Sequence, residues 1–158
     1  MKKPITTKTY PNLDEPTMQA LASRLATMIT SPLVIYLEGD LGAGKTTFCR
    51  ALIQSMGVKG SVKSPTYTLL EEYDVDAPFS KILHFDLYRL VDAEELEFIG
   101  IRDYIDAALW LVEWADKGKG LLPEADMIIR LAYSGDHRSL SMDYLSMRSS
   151  ALADSLNL

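Results

Sequence analysis

The chain has 158 residues, 47% hydrophobic and 24% charged, which suits one globular core and leaves no room for a second domain. A formal net charge of −6 argues against a protein that grips nucleic acid on its own, since phosphate neutralisation needs a basic face. No stretch approaches the ~20 apolar residues of a membrane span, and Met1-Lys2-Lys3-Pro4 leads into polar residues, so an unexported, cytoplasmic protein is expected.

In chain order, apolar residues at Met18, Leu21, Ala22, Leu25, Ala26 and Ile29 predict an amphipathic helix over Pro16–Ile29, with Asp14 or Glu15 near its start. Leu33-Val34-Ile35-Tyr36-Leu37 reads as a buried strand. Directly after it stands Gly39-Asp40-Leu41-Gly42-Ala43-Gly44-Lys45-Thr46, a full match to the phosphate-binding P-loop. Its glycines allow consecutive backbone N–H groups to turn around an anion, Lys45 reaches the β- and γ-phosphates, and Thr46 offers a hydroxyl to Mg²⁺. Gly39, Gly42, Ala43, Gly44, Lys45, Thr46 and Thr47 are thus the expected nucleotide-binding residues. A helix over Thr47–Met56, stopped by Gly57, supplies the context the motif requires. Within it Cys49, the single cysteine, reads as a packed small residue.

Beyond that helix, Thr66–Val75 and Lys81–Leu90 read as strands, Asp92–Ile99 as a short acidic helix ended by Gly100, and Leu109–Trp114 as a buried strand. Ala125–Tyr133 and Ser139–Leu145 predict an antiparallel hairpin around Ser134-Gly135-Asp136-His137, and Ser149–Leu156 a weak helix or tail. Lys59, Lys63, Lys117 and Lys119 are expected near the mouth of the site. The whole describes one α/β domain over residues 1–158, a three-layer P-loop NTPase-like sandwich with a mixed, mainly parallel sheet and nucleotide at the carboxyl ends of its strands.

Two acids are candidates for Mg²⁺. Ile82-Leu83-His84-Phe85-Asp86 and Leu109-Trp110-Leu111-Val112-Glu113 are both apolar runs that deliver a carboxylate at their end, and both Asp86 and Glu113 remain open for metal binding and water handling. Thr66, in Ser64-Pro65-Thr66, falls where GTPases carry the switch threonine that senses the γ-phosphate. His84 reads as a satisfied sheet histidine. No Asn-Lys-x-Asp guanine reader exists, which excludes a small GTPase. The remaining alternatives are a small-molecule P-loop kinase and a nucleotide-dependent interaction module with incidental hydrolysis.

Taken together, GDLGAGKTT at Gly39–Thr47, Ser64-Pro65-Thr66-Tyr67, His84-Phe85-Asp86-Leu87-Tyr88-Arg89, Glu94-Glu95-Leu96-Glu97 followed by Gly100-Ile101, and Val112-Glu113-Trp114 strongly resemble the bacterial TsaE (YjeE) ATPase family, from about residue 15 to residue 130. The resemblance implies a cytoplasmic, Mg²⁺-dependent ATPase required for threonylcarbamoyladenosine formation beside the tRNA anticodon. Such a subunit works with a TsaB–TsaD-type pair and meets tRNA only through those partners. By motif, it further implies phosphate and Mg²⁺ roles for Lys45 and Thr46, a switch-like role for Thr66, a Walker B role for Asp86, metal coordination for Glu113, and a place for Thr17 beside the adenine.

Overall fold

The computed structural model describes residues 2–58, 60–76 and 78–156. Seven strands form one sheet: β1 (Thr6–Leu13), β2 (Val34–Glu38), β3 (Leu70–Asp74), β4 (Lys81–Asp86), β5 (Ala108–Glu113), β6 (Met127–Ser134) and β7 (His137–Tyr144). Their spatial order is β1-β7-β6-β2-β5-β4-β3. The central pairings β6–β2, β2–β5 and β5–β4 are parallel, and the flanking pairings are antiparallel.

Helices α1 (Glu15–Met28) and α2 (Lys45–Ser55) pack on one face. Asp14 caps α1 by accepting the Thr17 N–H at 2.8 Å, and a proline opens its first turn, two start signals that together fix the helix entry. Met18, Leu21 and Leu25 of α1 and Phe48, Leu52 and Ile53 of α2 meet Ile35, Leu37, Leu109, Leu111 and Ile129 from the strands. Each fully buried side chain of this size contributes about 1.5–3 kcal/mol over its exposed state. Alternate residues, among them Leu83, Phe85, Trp110 and Val112, face the other way into a second core. That core is covered by the short α3 (Glu95–Phe98) and by 3₁₀ turns at Ile101–Tyr104 and Ala115–Gly118. Central strands buried on both faces explain why their sequences run apolar without alternation.

Several elements depart from the sequence reading. Strand β1 was not expected: its alternation is mostly polar, and Pro11 and Asn12 interrupt it at an irregularity between Tyr10 and Leu13. Such a strand is tolerated at the sheet edge, where unpaired backbone faces solvent. The segment expected as strand from Thr66 starts only at Leu70, because Leu69 takes a left-handed φ of 70° after a turn. Strand β4 ends at Asp86 instead of Leu90, since the Tyr88 N–H turns back to the Asp86 carboxylate and the Leu90 N–H to the Leu87 carbonyl, closing a turn. The acidic helix shrinks to Glu95–Phe98, and the C-terminal one to Met147–Ser150 (α4) followed by turns.

Gly118 closes the second core at a point of close approach. A Cβ there would lie 2.9 Å from Leu96 Cδ1, 2.9 Å from Leu122 Cδ1 and 3.0 Å from Leu87 Cδ1. A side chain there would push the leucine methyls apart where α3, the segment after Asp86 and the loop after Glu113 meet.

Candidate nucleotide site

The P-loop joins β2 to α2 and opens a cleft of about 200 Å³ lined by Gly42, Gly44, Lys45, Thr46, Thr47, Thr66, Asp86, Tyr88, Glu113, Trp114 and Arg138, with Leu41 at the rim. Gly44, at φ 109°, precedes α2 and gives it no side-chain cap. The N–H groups of the first turn therefore lack an internal acceptor and face a potential anion together with the positive end of the helix dipole. Gly39 is dictated by space: a Cβ there would lie 2.4 Å from the Leu131 carbonyl oxygen on the neighbouring strand.

Lys45 is 4% exposed. Its Nζ donates to the carbonyls of Gly39 and, at 3.0 Å, Asp40, and lies 4.3 Å from the centroid of the Trp114 ring. Burial pushes the ammonium pKa below its ordinary value, while Glu113, Asp86 and Asp40 pull it back up. Trp114 reaches this position by leaving β5 in a left-handed conformation, φ 60° and ψ 45°, and its ring also packs against Tyr88 at 4.9 Å.

The two acids sit at paired ends of adjacent parallel strands, Asp86 opposite Glu113. Thr46 Oγ1 donates to Glu113 Oε1 at 2.9 Å, with Oε2 at 3.2 Å, and His84 Nε2 lies 2.7 Å from Oε2. Asp86 accepts the Tyr88 N–H at 3.1 Å. Burial raises the Asp86 pKa from its ordinary value, the Tyr88 N–H opposes the rise, and the Glu113 charge adds to it. Thr66 reaches the cleft from the turn before β3, its hydroxyl 2.7 Å from that of Ser64.

Some expected residues lie elsewhere. Thr17 does not line the cleft: its N–H is committed to the helix cap, and the neighbouring Met18 instead approaches Gly44. Gly39 lies behind Lys45, in a depression shared with Glu38 and Asp116, and Ala43 is 1% exposed. Lys63 and Lys117 are not lining residues, Lys119 borders a groove on the opposite face of the sheet, and Lys59 lies outside the described residues.

Arg138 and Tyr133 were missed by the sequence reading. From the β6–β7 hairpin, Arg138 Nε donates to the Ala43 carbonyl at 2.8 Å and Tyr133 donates to that of Gly42. The guanidinium stacks 5.1 Å from the Tyr133 ring centroid. Strand order brings them here, because β6 lies beside β2; their distance in sequence from the P-loop hides it.

The sequence model of the family described as "Threonylcarbamoyl adenosine biosynthesis protein TsaE" matches residues 13–140, spanning the P-loop, both acids and Arg138. The chain belongs to this family. A Haemophilus influenzae protein named "tRNA threonylcarbamoyladenosine biosynthesis protein TsaE" is 53% identical over 111 residues, covering 70% of this chain and 69% of the relative. A Bacillus subtilis protein of the same name is 33% identical over 141 residues, covering 88% and 87%. The crystal structure of YdiB from Bacillus subtilis is similar throughout, with a TM-score of 0.77 and 27% identity over 96% of this chain and 94% of that one. Membership of the TsaE family fits a P-loop ATPase. Among the described residues, no helix is long and apolar enough to cross a membrane.

Proposed function

We propose that this chain is the ATP-binding and ATP-hydrolysing subunit of tRNA threonylcarbamoyladenosine biosynthesis, acting in the cytoplasm with a TsaB–TsaD-type pair. One observation carries the ATPase part of the reading: the Thr46 hydroxyl and the Glu113 carboxylate meet at 2.9 Å beside an uncapped helix start, with Lys45 alongside. The family match carries the pathway.

Backbone N–H groups from Gly42 to Thr47 bind the phosphates, and Lys45 moves from its own loop carbonyls to the β- and γ-oxygens. The donor set of Thr46, Glu113 and Asp86 is all oxygen and doubly anionic, which suits Mg²⁺. These three residues would hold the ion, whose charge offsets that of the phosphates. Asp86 and Glu113 also orient the attacking water through their carboxylates, and Thr66 senses the terminal phosphate from the turn before β3. Trp114 and Tyr88 form an aromatic wall that excludes bulk water from the Lys45 side.

Among the described residues Arg138 is the arginine that lines the cleft, and its Nε–H is committed to the Ala43 carbonyl of the P-loop; an arginine supplied in trans is worth about 10³–10⁵ in turnover. The expectation is slow hydrolysis by the lone chain and strong stimulation by the TsaB–TsaD pair. Phosphate release measured with and without the pair tests this. Rapid turnover alone, with no response to the partners, would refute it.

A further inference from the structure

His84 is buried beneath the cleft, and neither phosphate nor metal binding gives it a task. On β4 it shares a face with Ile82 and Asp86, and the β4–β5 register sets it opposite Leu111, one diagonal step from Glu113. Both partners are nearly inaccessible, His84 at 1% and Glu113 at 2%. A carboxylate so deeply buried requires donors. Among the described residues it has two, the Thr46 hydroxyl and the His84 imidazole.

We propose that His84 is a positioning residue for hydrolysis: its Nε2–H holds one oxygen of Glu113 so that the other stays aimed at Thr46 and the cleft. The proposal rests on the ATPase reading above, which turns the Thr46 hydroxyl toward the ion. Once that happens, His84 is the remaining fixed donor to Glu113. A carboxylate only accepts, so the hydrogen of the shared bond sits on Nε2. The other ring nitrogen, Nδ1, then has no hydrogen-bond partner. A residue serving only to fill space here would be apolar, as Ile82 is. An imidazole with one nitrogen orphaned in the core carries a desolvation cost that the bond to Glu113 offsets.

Reach separates this role from packing. The side-chain amide nitrogen of glutamine extends to where Nε2 lies, whereas that of asparagine stops near the Nδ1 position. His84→Gln therefore keeps the bond, and His84→Asn and His84→Leu lose it. Single-turnover phosphate release from ATP with Mg²⁺ should fall about 10- to 100-fold in the Leu and Asn variants, as for other groups that orient a ligating side chain. ADP affinity by calorimetry should stay near wild type in all three, and the Gln variant should hydrolyse close to wild type. Adding His84→Leu to Glu113→Gln should cost nothing further, because the removed residue acts through the one already altered.

Wild-type hydrolysis in the Leu variant, a Gln variant no better than Asn, or a full additional loss in the double variant would each overturn the proposal. If the Leu variant does not fold by circular dichroism, the comparison of Gln with Asn decides. A wild-type chain that releases no phosphate even with its partners defeats the ATPase reading and this proposal together; the other outcomes defeat this proposal alone.

Discussion

Lys45 and Trp114 form a closed pair: the ammonium lies 4.3 Å from the indole centroid and is held from the other side by the Gly39 and Asp40 carbonyls. The P-loop lysine is thus stored, desolvated, against its own loop. Lys45→Ala removes one or two charge-assisted hydrogen bonds to phosphate, about 1.5–3 kcal/mol in total, so ATP affinity should fall roughly 10- to 150-fold. Calorimetric titration of the folded variant checks this, and unchanged affinity would remove the lysine from phosphate binding.

Arg138 joins the β6–β7 hairpin to the P-loop through the Ala43 carbonyl. Arg138→Ala should loosen nucleotide binding about tenfold, near 1.4 kcal/mol, by removing a cation from the cleft and freeing the loop. Arg138→Lys should recover little, since an ammonium has neither the planar fork nor the stacking surface that Tyr133 meets. The same titration resolves both variants.

Asp86 couples function to stability with a defined sign. Burial first, and then Glu113, hold its folded pKa above the ordinary 3.8. The folded state consequently binds this proton more tightly than the unfolded chain, and stability falls as pH rises from 3.8 through the folded value. Asp86→Asn keeps an acceptor for the Tyr88 N–H and removes the charge. It should lose at least ~10²-fold in hydrolysis, measured with partners present. At neutral pH it should also melt above wild type in a chelator-containing buffer, the gap closing below pH 3.8. A variant that melts below wild type at neutral pH would contradict this account.

At Gly39 the backbone of β6 leaves no room. Gly39→Ala should cost about 2–4 kcal/mol, combining a strained backbone with overpacking against the Leu131 carbonyl. For a chain of this size that is a fall in Tm of about 5–15 °C. Thermal unfolding followed by circular dichroism measures it.

Together with the Ser64-Pro65-Thr66 segment, the acidic α3, whose Phe98 is 88% exposed and which follows the 94% exposed Val91, is the surface we propose for a TsaB–TsaD-type pair. Reversing charge at Glu94 and Glu95 should reduce partner stimulation while basal hydrolysis persists. Equal stimulation in the reversed variant would move the contact elsewhere.

Legibility in the sequence followed the range of the interactions. The P-loop is a local pattern of backbone freedom and one cation, so β2, the loop and α2 could be read from consecutive residues. Asp86 and Glu113 were legible as ends of apolar runs, because a strand buried on both faces reveals its acid as a break in composition. Strand β1 was not: its partners lie on β7, more than 120 residues away, and nothing local distinguishes its alternation from a polar tail. Arg138 was hidden for the same reason. The bond between His84 and Glu113 depends on a diagonal between two strands 29 residues apart, and only the parallel register supplies it.

Three leucines around Gly118 have a mechanical consequence. Leu96 belongs to the acidic helix, Leu87 follows Asp86 by one residue, Leu122 lies four residues beyond Gly118, and Gly118 itself sits on the turn that begins after Trp114. The acidic helix and the two segments that leave the acids of the cleft thus share one point of contact, and a bulkier residue at position 118 would have to part the Leu87, Leu96 and Leu122 side chains, at the junction beneath both acids.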